Sequence, residues 1–547
     1  MAQIPVADKK PVVLVSLYHY DSIAVRMLYS YLRSKDIPVY FLGFKRMKQK
    51  PTQTLKNDYI ELHDYHDEVT AQDISAFIIK LKELNPALIG ISLQSSHFQL
   101  AKNLTEQIRK SLSAPVIWGG SHPTIDPESC IKETDLVCVG EGFDPLVEVY
   151  NAVTDGKKYD DIRNVWVRKN GDIKRNDSRP LVKDIDILPA PSFSPENKIY
   201  IDAGKVQKNN NIDYFGFGFT DEPLKTFHQT MTSFGCPFRC SFCINSLGYD
   251  QYRRRSPQNV VNELICAKKK NKSLKMVFFW DNILGVDKKW SFEFAELYKK
   301  EIALPFFAYS HPLFTDREIM RALREAGWSI TVMGIQSGCE RLRKTLYDRR
   351  ETNEQIMEAT KRLNELRKIK SPRKYFRIYY DYVKNNPMEG KKDLRESLGL
   401  FLNFPKGFIF QAFNLSFFPN YKITKYFLEH GMISEKNIEG NIGGTSAANW
   451  TSTFDSTKEY RGFLRRHEYY YLLFSLAQYK LFPNFLIKFI EKNKLFMNRL
   501  KILYVICASV RKLELTFRIV NYYWLWEIVS MIPIKMKIKR RTLVRYE

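Results

Sequence analysis

The chain has 547 residues, of which 44% are hydrophobic and 14% aromatic, which excludes both a single small domain and a mostly disordered protein. Its 85 Lys and Arg against 60 Asp and Glu give a net charge of +25, which fits an acidic partner, nucleic acid, an anionic membrane or simply a lysine-rich surface. Eight cysteines do not indicate a disulfide scaffold, and we expect neither a signal peptide nor a membrane-spanning helix, so a reducing, cytoplasmic location is predicted.

Residues 11–150 alternate short β-branched runs with amphipathic segments, a pattern typical of a parallel sheet covered by helices. The predicted strands are Val12–Leu17, Val39–Gly43, Ala87–Leu93, Pro115–Trp118 and Leu136–Val139, and the predicted helices are Ile23–Ser34, Ile74–Leu84, Leu100–Leu112 and Leu146–Val153. This pattern predicts a flavodoxin-like, doubly wound α/β domain over residues 1–153. In such folds the ligand crevice lies beyond the carboxyl ends of the strands.

Small or polar residues gather at those strand ends. Side chains this small let a large flat ligand approach the backbone, although ordinary turns between strands and helices use the same residue types. We take the following as candidate ligand contacts: Ser92, Ser95, Ser96, Gly119, Gly120, His122, Gly140, Glu141 and Gly142.

Residues 154–228 are polar, and Pro189 and Pro191 favour an extended crossover, so a linker is predicted there. Six strand and helix units follow over residues 229–433, which predicts a partial (β/α)6 TIM-type barrel with its chemistry at the carboxyl ends of the strands. The predicted strands are Gln229–Ser233, Lys275–Phe279, Phe306–Ser310, Ser329–Ile335, Phe376–Val383 and Phe408–Phe417.

Three cysteines follow the first barrel strand in a C-x3-C-x2-C pattern, at Cys236, Cys240 and Cys243. Thiolates at this spacing select an iron–sulfur cluster or zinc. A structural zinc site usually closes with four protein ligands, so a three-ligand site favours a cluster with one iron open. A zinc knuckle or three unrelated buried cysteines are the alternatives.

This motif, with Phe242 before the third cysteine, resembles the CxxxCxΦC signature of the radical S-adenosylmethionine (SAM) superfamily. The resemblance implies a [4Fe–4S] cluster whose open iron is chelated by SAM. The segments LIGISLQSSHF, VIWGGSHPT and VCVGEGFDPL, in that order, are similar to the cobalamin-binding domain that precedes this core in one large subgroup. The nine strand-end residues above would then contact cobalamin. In many cobalamin-binding domains a D-x-H-x-x-G loop after the first strand supplies a histidine that ligates cobalt. Here that loop lacks the pattern and has His19 as its only histidine, so we expect cobalamin to bind without a histidine below the cobalt.

The barrel carries further resemblances at its strand ends. MGIQSG is similar to the family's G-I-E-S-G, with Gln336 in place of Glu. In DYVKNNPMEG and SFFPNYKIT, Asn385 and Asn420 replace glycines of the family patterns, and asparagine tolerates a left-handed backbone. Arg349 matches a position that pairs with the SAM carboxylate, a task that suits a guanidinium. The residues expected to contact SAM are Phe242, Asp281, Ser310, Gln336, Ser337 and Arg349.

Residues 434–547 are basic and aromatic-rich with helical spacing. A helical domain that caps the barrel is the simplest interpretation, and peripheral contact with an anionic membrane is the alternative.

The resemblance implies a cobalamin-dependent radical SAM enzyme, most simply one that methylates an unactivated carbon through a 5′-deoxyadenosyl radical and methylcobalamin. An external reductant such as flavodoxin or ferredoxin and an unknown organic substrate are the implied partners, and nucleic acid is not expected. A non-methylating cyclase or ring-rearranging enzyme is the second hypothesis. A non-catalytic metal-binding scaffold is the third.

Overall fold

The computed structural model describes residues 9–53, 60–66, 68–207, 226–249, 251–372, 375–439, 470–471, 473–479 and 482–493. Within these ranges the chain forms a nine-stranded sheet, a six-stranded sheet and two small two-stranded sheets. None of the helices in these ranges is both long enough and apolar enough to cross a membrane.

The N-terminal part is built around the nine-stranded sheet. Its strands, with those of a small separate hairpin (β3 and β4), are β1 (Val12–Leu17), β2 (Val39–Phe44), β3 (Met47–Gln53), β4 (Ile60–His66), β5 (Leu88–Ser92), β6 (Val116–Gly119), β7 (Leu136–Cys138), β8 (Val165–Lys169), β9 (Asp172–Lys174), β10 (Lys198–Asp202) and β11 (Lys205–Gln207). Its helices are α1 (Ile23–Ser34), α2 (Ala71–Leu84), α3 (Phe98–Ser111), α4 (Ser121–Ile125), α5 (Pro127–Ile131) and α6 (Phe143–Thr154).

The five strands predicted for this domain pair in parallel in the order β2-β1-β5-β6-β7, which confirms the doubly wound fold. The sheet is wider than predicted, because the segment expected to be only a linker adds β8 and β9 at one edge and β10 and β11 at the other. In β8 the alternate residues Val165 and Val167 are buried, a short pattern that the surrounding polar residues obscure. Helix α2 begins three residues earlier than predicted because Thr70 and Asp73 form a capping box.

The second part is built around the six-stranded sheet. The strands of this part are β12 (Phe227–Thr230), β13 (Ser233–Phe234), β14 (Arg253–Arg254), β15 (Met276–Phe279), β16 (Phe306–Ser310), β17 (Trp328–Gln336), β18 (Arg377–Lys384) and β19 (Ile409–Asn414). The helices are α7 (Pro257–Lys270), α8 (Lys288–Glu301), α9 (Arg317–Ala326), α10 (Glu340–Thr345), α11 (Asn353–Glu365), α12 (Lys391–Leu402), α13 (Lys422–Glu429), α14 (Glu435–Glu439) and α15 (Asn484–Lys492).

All six strands of this sheet are parallel and follow chain order, β12-β15-β16-β17-β18-β19, as a partial barrel requires. Alternate residues face opposite sides of the sheet. Phe278, Phe307 and Tyr379 belong to one apolar cluster, which forms the floor of the lumen. Their neighbours Phe279 and Phe306 pack in a second, larger cluster with the helices outside the barrel.

Parts of the C-terminal region join this outer cluster. Leu473, Phe474 and Ile487 are fully buried there. The rest of the basic, aromatic-rich helical region predicted for residues 434–547 lies mostly outside the described residues.

Candidate functional site

The segment that carries the three cysteines, residues 230–245, is called the cysteine loop. It begins at the end of β12 and is anchored by Asp281, which follows β15. The Asp281 carboxylate is fully buried and accepts hydrogen bonds from the backbone amide of Thr232 at 2.9 and 3.0 Å. It also accepts from the hydroxyls of Thr232 at 2.5 Å and Ser233 at 2.6 Å. Asp281 is one of the predicted SAM contacts, and in the structure its carboxylate is hydrogen-bonded to the cysteine loop.

The turn into the first cysteine requires glycine. Gly235 has φ +72°, and a Cβ there would overlap the carbonyl oxygen of Gln251. The Asn282 amide donates to the Gly235 carbonyl at 2.8 Å. These contacts fix the chain direction immediately before Cys236.

The three cysteines are half-buried, and all three thiols lie within electrostatic range of Arg349. Burial raises the pKa of all three thiols, that of Cys240 to about 11, and the Arg349 guanidinium opposes the rise. Within the described residues, no three His, Cys, Asp or Glu side chains are grouped to hold one metal ion. In an iron–sulfur cluster each thiolate binds a different iron, and three cysteines in one short loop can supply such ligands.

Arg349 lies beside the cysteine loop and the end of β17. Its Nε donates to Glu351 at 2.5 Å, and its Nη2 donates to the Gly334 carbonyl at 2.8 Å and to His311 Nε2 at 3.0 Å. Burial and the guanidinium lower the pKa of His311 to about 2, so its neutral ring can accept this bond. The His311 ring stacks on Phe238 of the loop, with centroids 4.2 Å apart. Arg349 is therefore held at the site by buried partners.

Three residues have a left-handed backbone: Gln336 at φ 65° and Asn385 at φ 62°, both at strand ends, and Asn420 at φ 64°, in the loop between β19 and α13. The two asparagines adopt the conformation predicted for residues that replace glycine. The Asn420 amide donates to the Ile125 carbonyl at 2.9 Å and so ties the barrel to the first domain. The left-handed Gln336 was not predicted. It follows an irregularity in the pairing of β17 with β18 between Gly334 and Gln336.

Phe242 lies within the cysteine loop, as its place in the motif requires. Its ring packs edge-on against Tyr347, with centroids 5.2 Å apart. The backbone amide of the preceding residue, Ser241, donates to the Tyr347 carbonyl at 3.1 Å. Phe242 thus packs the loop against the segment that leads to Arg349.

The two predicted serine contacts have protein partners. Ser310 shares a hydrogen bond of 2.9 Å with Thr331 on the neighbouring strand, and both are buried. Ser337 accepts from the Cys339 amide at 3.2 Å and donates to Glu389 at 3.4 Å. Both hydroxyl groups thus form hydrogen bonds within the protein at the ends of the strands.

Two residues of the site were not among the predicted contacts. Glu389 is buried, burial raises its pKa to about 8, and it accepts from the hydroxyls of Tyr382 and of Tyr471. The Tyr471 hydroxyl also accepts from the backbone N–H of Asn385 at 3.0 Å, so the C-terminal region completes this strand end. Glu389 closes the NNPMEG motif and could have been found there. Nothing in the sequence around Tyr471 points to this role.

A cavity of about 270 Å³ opens at the carboxyl ends of the strands in the first domain. Met231 and Phe234 from the cysteine loop complete its wall, so the cavity lies between the two candidate cofactor regions. Six of the nine predicted cobalamin contacts line it: Ser92, Gly119, Gly120, Gly140, Glu141 and Gly142.

The other three predicted cobalamin contacts, Ser95, Ser96 and His122, are not among the residues that line this cavity. Ser95 bonds His122 Nδ1 at 3.1 Å, and burial lowers the pKa of His122 to about 4. Ser96 is half-buried in the same turn, and the His19 ring lies 5.5 Å from that of His97.

Glu141 lines the cavity, but its carboxylate joins the two parts of the chain. It accepts from Arg253 at 2.6 Å and from the Val182 amide at 3.1 Å. Arg253 lies on β14, which pairs with β13 of the cysteine loop. This ion pair connects the cysteine loop to the rim of the cavity.

A model described as "B12 binding domain" matches residues 9–150, and one described as "Radical SAM superfamily" matches residues 230–380. An uncharacterized methyltransferase of Pyrococcus horikoshii is 26% identical over 290 residues, which cover 50% of this chain and 56% of that protein. An anaerobic magnesium-protoporphyrin IX monomethyl ester cyclase of Rubrivivax gelatinosus is 23% identical over 301 residues, which cover 52% of this chain and 50% of that protein. The chain thus spans about half the length of these curated relatives.

The solved structure of the cobalamin-dependent S-adenosylmethionine radical enzyme OxsB with aqua-cobalamin bound is similar in fold, with a TM-score of 0.60. It is 14% identical, and the match covers 94% of this chain and 84% of that one. The chain therefore carries a B12-binding domain followed by a radical SAM domain, which confirms the family predicted from its sequence and the cofactors, cobalamin, SAM and a [4Fe–4S] cluster, that these domains imply.

Proposed function

We propose that the chain is a cobalamin-dependent radical SAM enzyme that methylates an unactivated carbon of an organic substrate. One observation supports this most: Met231 and Phe234 of the cysteine loop line the same cavity as the strand-end glycines of the B12-binding domain. A cofactor in that cavity would therefore touch the loop that holds the cluster. Such proximity is what two cofactors acting on one substrate need.

The residues present fit these groups. Cys236, Cys240 and Cys243 would hold the cluster, and Gln336 and Arg349 would hold SAM. When bound, the reduced cluster and SAM supply a radical that removes hydrogen from carbon, and cobalamin supplies the methyl group.

The chain itself orients these groups and excludes water from them. Arg349 offers a fixed positive charge because Glu351 and the Gly334 carbonyl hold its guanidinium in one orientation. Phe238 and Phe242 cover the loop with apolar surface, against His311 and Tyr347. Water exclusion protects a reactive radical from side reactions.

Glycines at the rim of the B12-binding cavity would let a flat ligand approach the backbone. At Gly120 the turn itself requires glycine, because φ is +102° and a Cβ would lie 2.9 Å from the Leu93 carbonyl oxygen. His19 lies against the His97 ring and is not among the cavity-lining residues. We therefore expect the Co(II) form to give an EPR spectrum without nitrogen hyperfine splitting, and equally so in His19→Ala. Splitting that disappears in this variant would contradict the expectation.

The cysteine assignment is tested with Cys236→Ala, Cys240→Ala and Cys243→Ala in the full chain purified anaerobically. Each variant should lose bound iron and sulfide and the formation of 5′-deoxyadenosine with a chemical reductant, because a cluster with two thiolates is under-ligated. Cys266→Ala is the matched control, since Cys266 is exposed on α7 and should be dispensable. Full iron content in any motif variant would refute the assignment and favour the scaffold hypothesis.

A cyclase is the second candidate, because a relative named as a cyclase matches this chain over a span similar to that of a relative named as a methyltransferase. The mass of the product separates the two, since only the methyltransferase adds one methyl group.

The C-terminal region is proposed to cap the barrel, and the burial of Leu473, Phe474 and Ile487 in the barrel's outer cluster supports this. Peripheral contact with an anionic membrane is the rival. Basic side chains near anionic lipid add about 1 kcal/mol each, an attraction that salt screens. Flotation of the full chain with anionic vesicles at low salt, lost at high salt, would favour the membrane. If the full chain does not float with the vesicles at low salt, membrane contact is ruled out and capping of the barrel remains as the role of this region.

A further inference from the structure

The lumen of the barrel contains a polar group that the proposed cofactor contacts do not use. Phe278, Phe307, Tyr379 and Ile409 form the apolar floor of the lumen. Because alternate residues of a strand share one face, the residue two positions further along each strand also faces the lumen. These lumen-facing residues are Trp280, Tyr309, Asp381 and Gln411.

Asp381 and Gln411 are directly opposite one another in the pairing of β18 with β19. Asp381 Oδ1 and Gln411 Oε1 are both buried, and neither has a hydrogen-bond partner among the residues that the structure describes. Buried acceptors are almost always paired in folded proteins. Two unpaired acceptors side by side therefore indicate a place where a ligand supplies the donors.

The surroundings leave space for such a ligand. Asp381 and Gln411 are only half-buried as residues although their acceptor atoms are covered, so both border open space. Burial raises the pKa of Asp381 to about 7. The Asp381 charge in turn contributes to the raised pKa of Tyr309, which places the phenol within electrostatic range. The Trp280 ring lies 6.3 Å from the Tyr309 ring and extends the aromatic wall.

This place is distinct from the predicted SAM contacts. Asp381 pairs with Gly334, which precedes Gln336 by two residues, so the acceptors lie deeper in the lumen than Gln336. The Gln336 side chain folds back over Gly334 and covers this position from the rim.

We infer that Asp381 and Gln411 bind a protonated amino group of the substrate. This inference rests on the proposed function, because it places the substrate in the lumen below SAM. An ammonium group has three donors and no acceptor, which matches a carboxylate and an amide oxygen side by side. Its charge offsets that of Asp381, and the neighbouring aromatic rings fit the carbon skeleton. A carboxylate-bearing substrate would instead face two acceptors.

The test uses the full chain with its cluster reconstituted and with SAM and cobalamin added. The probe is 2-phenylethylamine, with the uncharged 2-phenylethanol for comparison, and binding is followed by ligand-observed NMR. The amine should bind at least about tenfold more tightly than the alcohol. Asp381→Asn should weaken amine binding by about 10- to 100-fold, as expected for the loss of a charge-assisted hydrogen bond. Asp172→Asn is the matched control, because Asp172 is exposed on β9.

Gln411→Leu is a second variant, which removes the whole side-chain amide with its acceptor oxygen and should also weaken binding of the amine. Both variants should melt no lower than the parent, because Asp381→Asn removes a buried carboxylate charge and Gln411→Leu removes an unpaired buried acceptor. Equal binding of amine and alcohol, or unchanged amine binding in Asp381→Asn, would overturn the inference. So would a tenfold loss of SAM affinity in Asp381→Asn, which would assign the carboxylate to SAM.

Iron content and 5′-deoxyadenosine formation in the same samples report separately on the proposed function. An intact cluster that cleaves SAM, with no preference for the amine, removes the inference alone. A parent chain that neither assembles a cluster nor cleaves SAM removes the proposed function.

Discussion

Asp281 is predicted to hold the cysteine loop in place, and Asp281→Ala tests this. The carboxylate accepts from one amide and two hydroxyls, all within 3.0 Å and all buried. Each buried donor left without its acceptor costs about 1–3 kcal/mol. Neighbouring losses are not additive, so the sum is expected to be about 3–5 kcal/mol. A loss of this size is a large part of typical domain stability, yet small enough for the chain to fold.

Because a chain of several domains does not unfold in one step, the measurement should be local. Hydrogen exchange of the peptide 230–245 should become faster by on the order of 100-fold or more, since about 1.4 kcal/mol corresponds to tenfold. The amount of iron bound per chain should fall in the same variant. Asp281→Asn keeps one acceptor oxygen and should give an intermediate result.

Asp287→Ala is the matched control. Asp287 is the N-cap of α8 and accepts from the Trp290 amide at 2.7 Å, so its loss should cost about 1 kcal/mol in that helix alone. Parental exchange and parental iron content in Asp281→Ala would refute the anchoring role.

Three further substitutions have defined outcomes. Gly235→Ala should abolish iron binding, because its Cβ would overlap the Gln251 carbonyl at a backbone angle that L-residues rarely adopt; parental iron content would contradict this. Asn385→Ala should lower stability by at least about 1 kcal/mol at φ 62° whereas Asn385→Gly should cost less, and calorimetry measures both. The folded chain holds the Glu389 proton up to about pH 8, but the unfolded chain releases it near its ordinary pKa. This contribution therefore favours folding at low pH and is lost between about pH 4 and pH 8, so the Tm of Glu389→Gln should fall less over that range. An equal fall in parent and variant would contradict it.

Much of the fold follows from local sequence patterns. Helix α1 and strand β16 lie at the predicted residues, because apolar spacing and a capping residue are local signals. The first barrel strand was predicted at Gln229–Ser233, but it ends at Thr230, and the chain then turns toward Asp281. That turn depends on a residue 49 positions away. Likewise β10 is a short strand whose partner, β2, is remote in sequence.

The residues of the site also fall into two groups, those that a local sequence pattern indicates and those that only contacts in the fold reveal. The cysteines could be proposed as cluster ligands from spacing alone, because such a cluster needs three thiolates in one short loop. A polar residue at a strand end does not reveal whether it faces a ligand or its own backbone. Asp281 faces Thr232, and Ser310 faces Thr331 on the next strand. Asp381 lies within a mostly buried strand, and its unusual feature, a buried Oδ1 without a hydrogen-bond partner among the described residues, is visible only in the structure.

The ion pair between Glu141 and Arg253 has a thermodynamic consequence. Because Arg253 lies on the strand paired with the cysteine loop and Glu141 lines the cavity, whatever restrains one cofactor region also restrains the other. Binding free energies coupled in this way are reciprocal. If cobalamin makes the chain retain its cluster more tightly by some factor, the cluster must make the chain retain cobalamin more tightly by the same factor, whichever is loaded first.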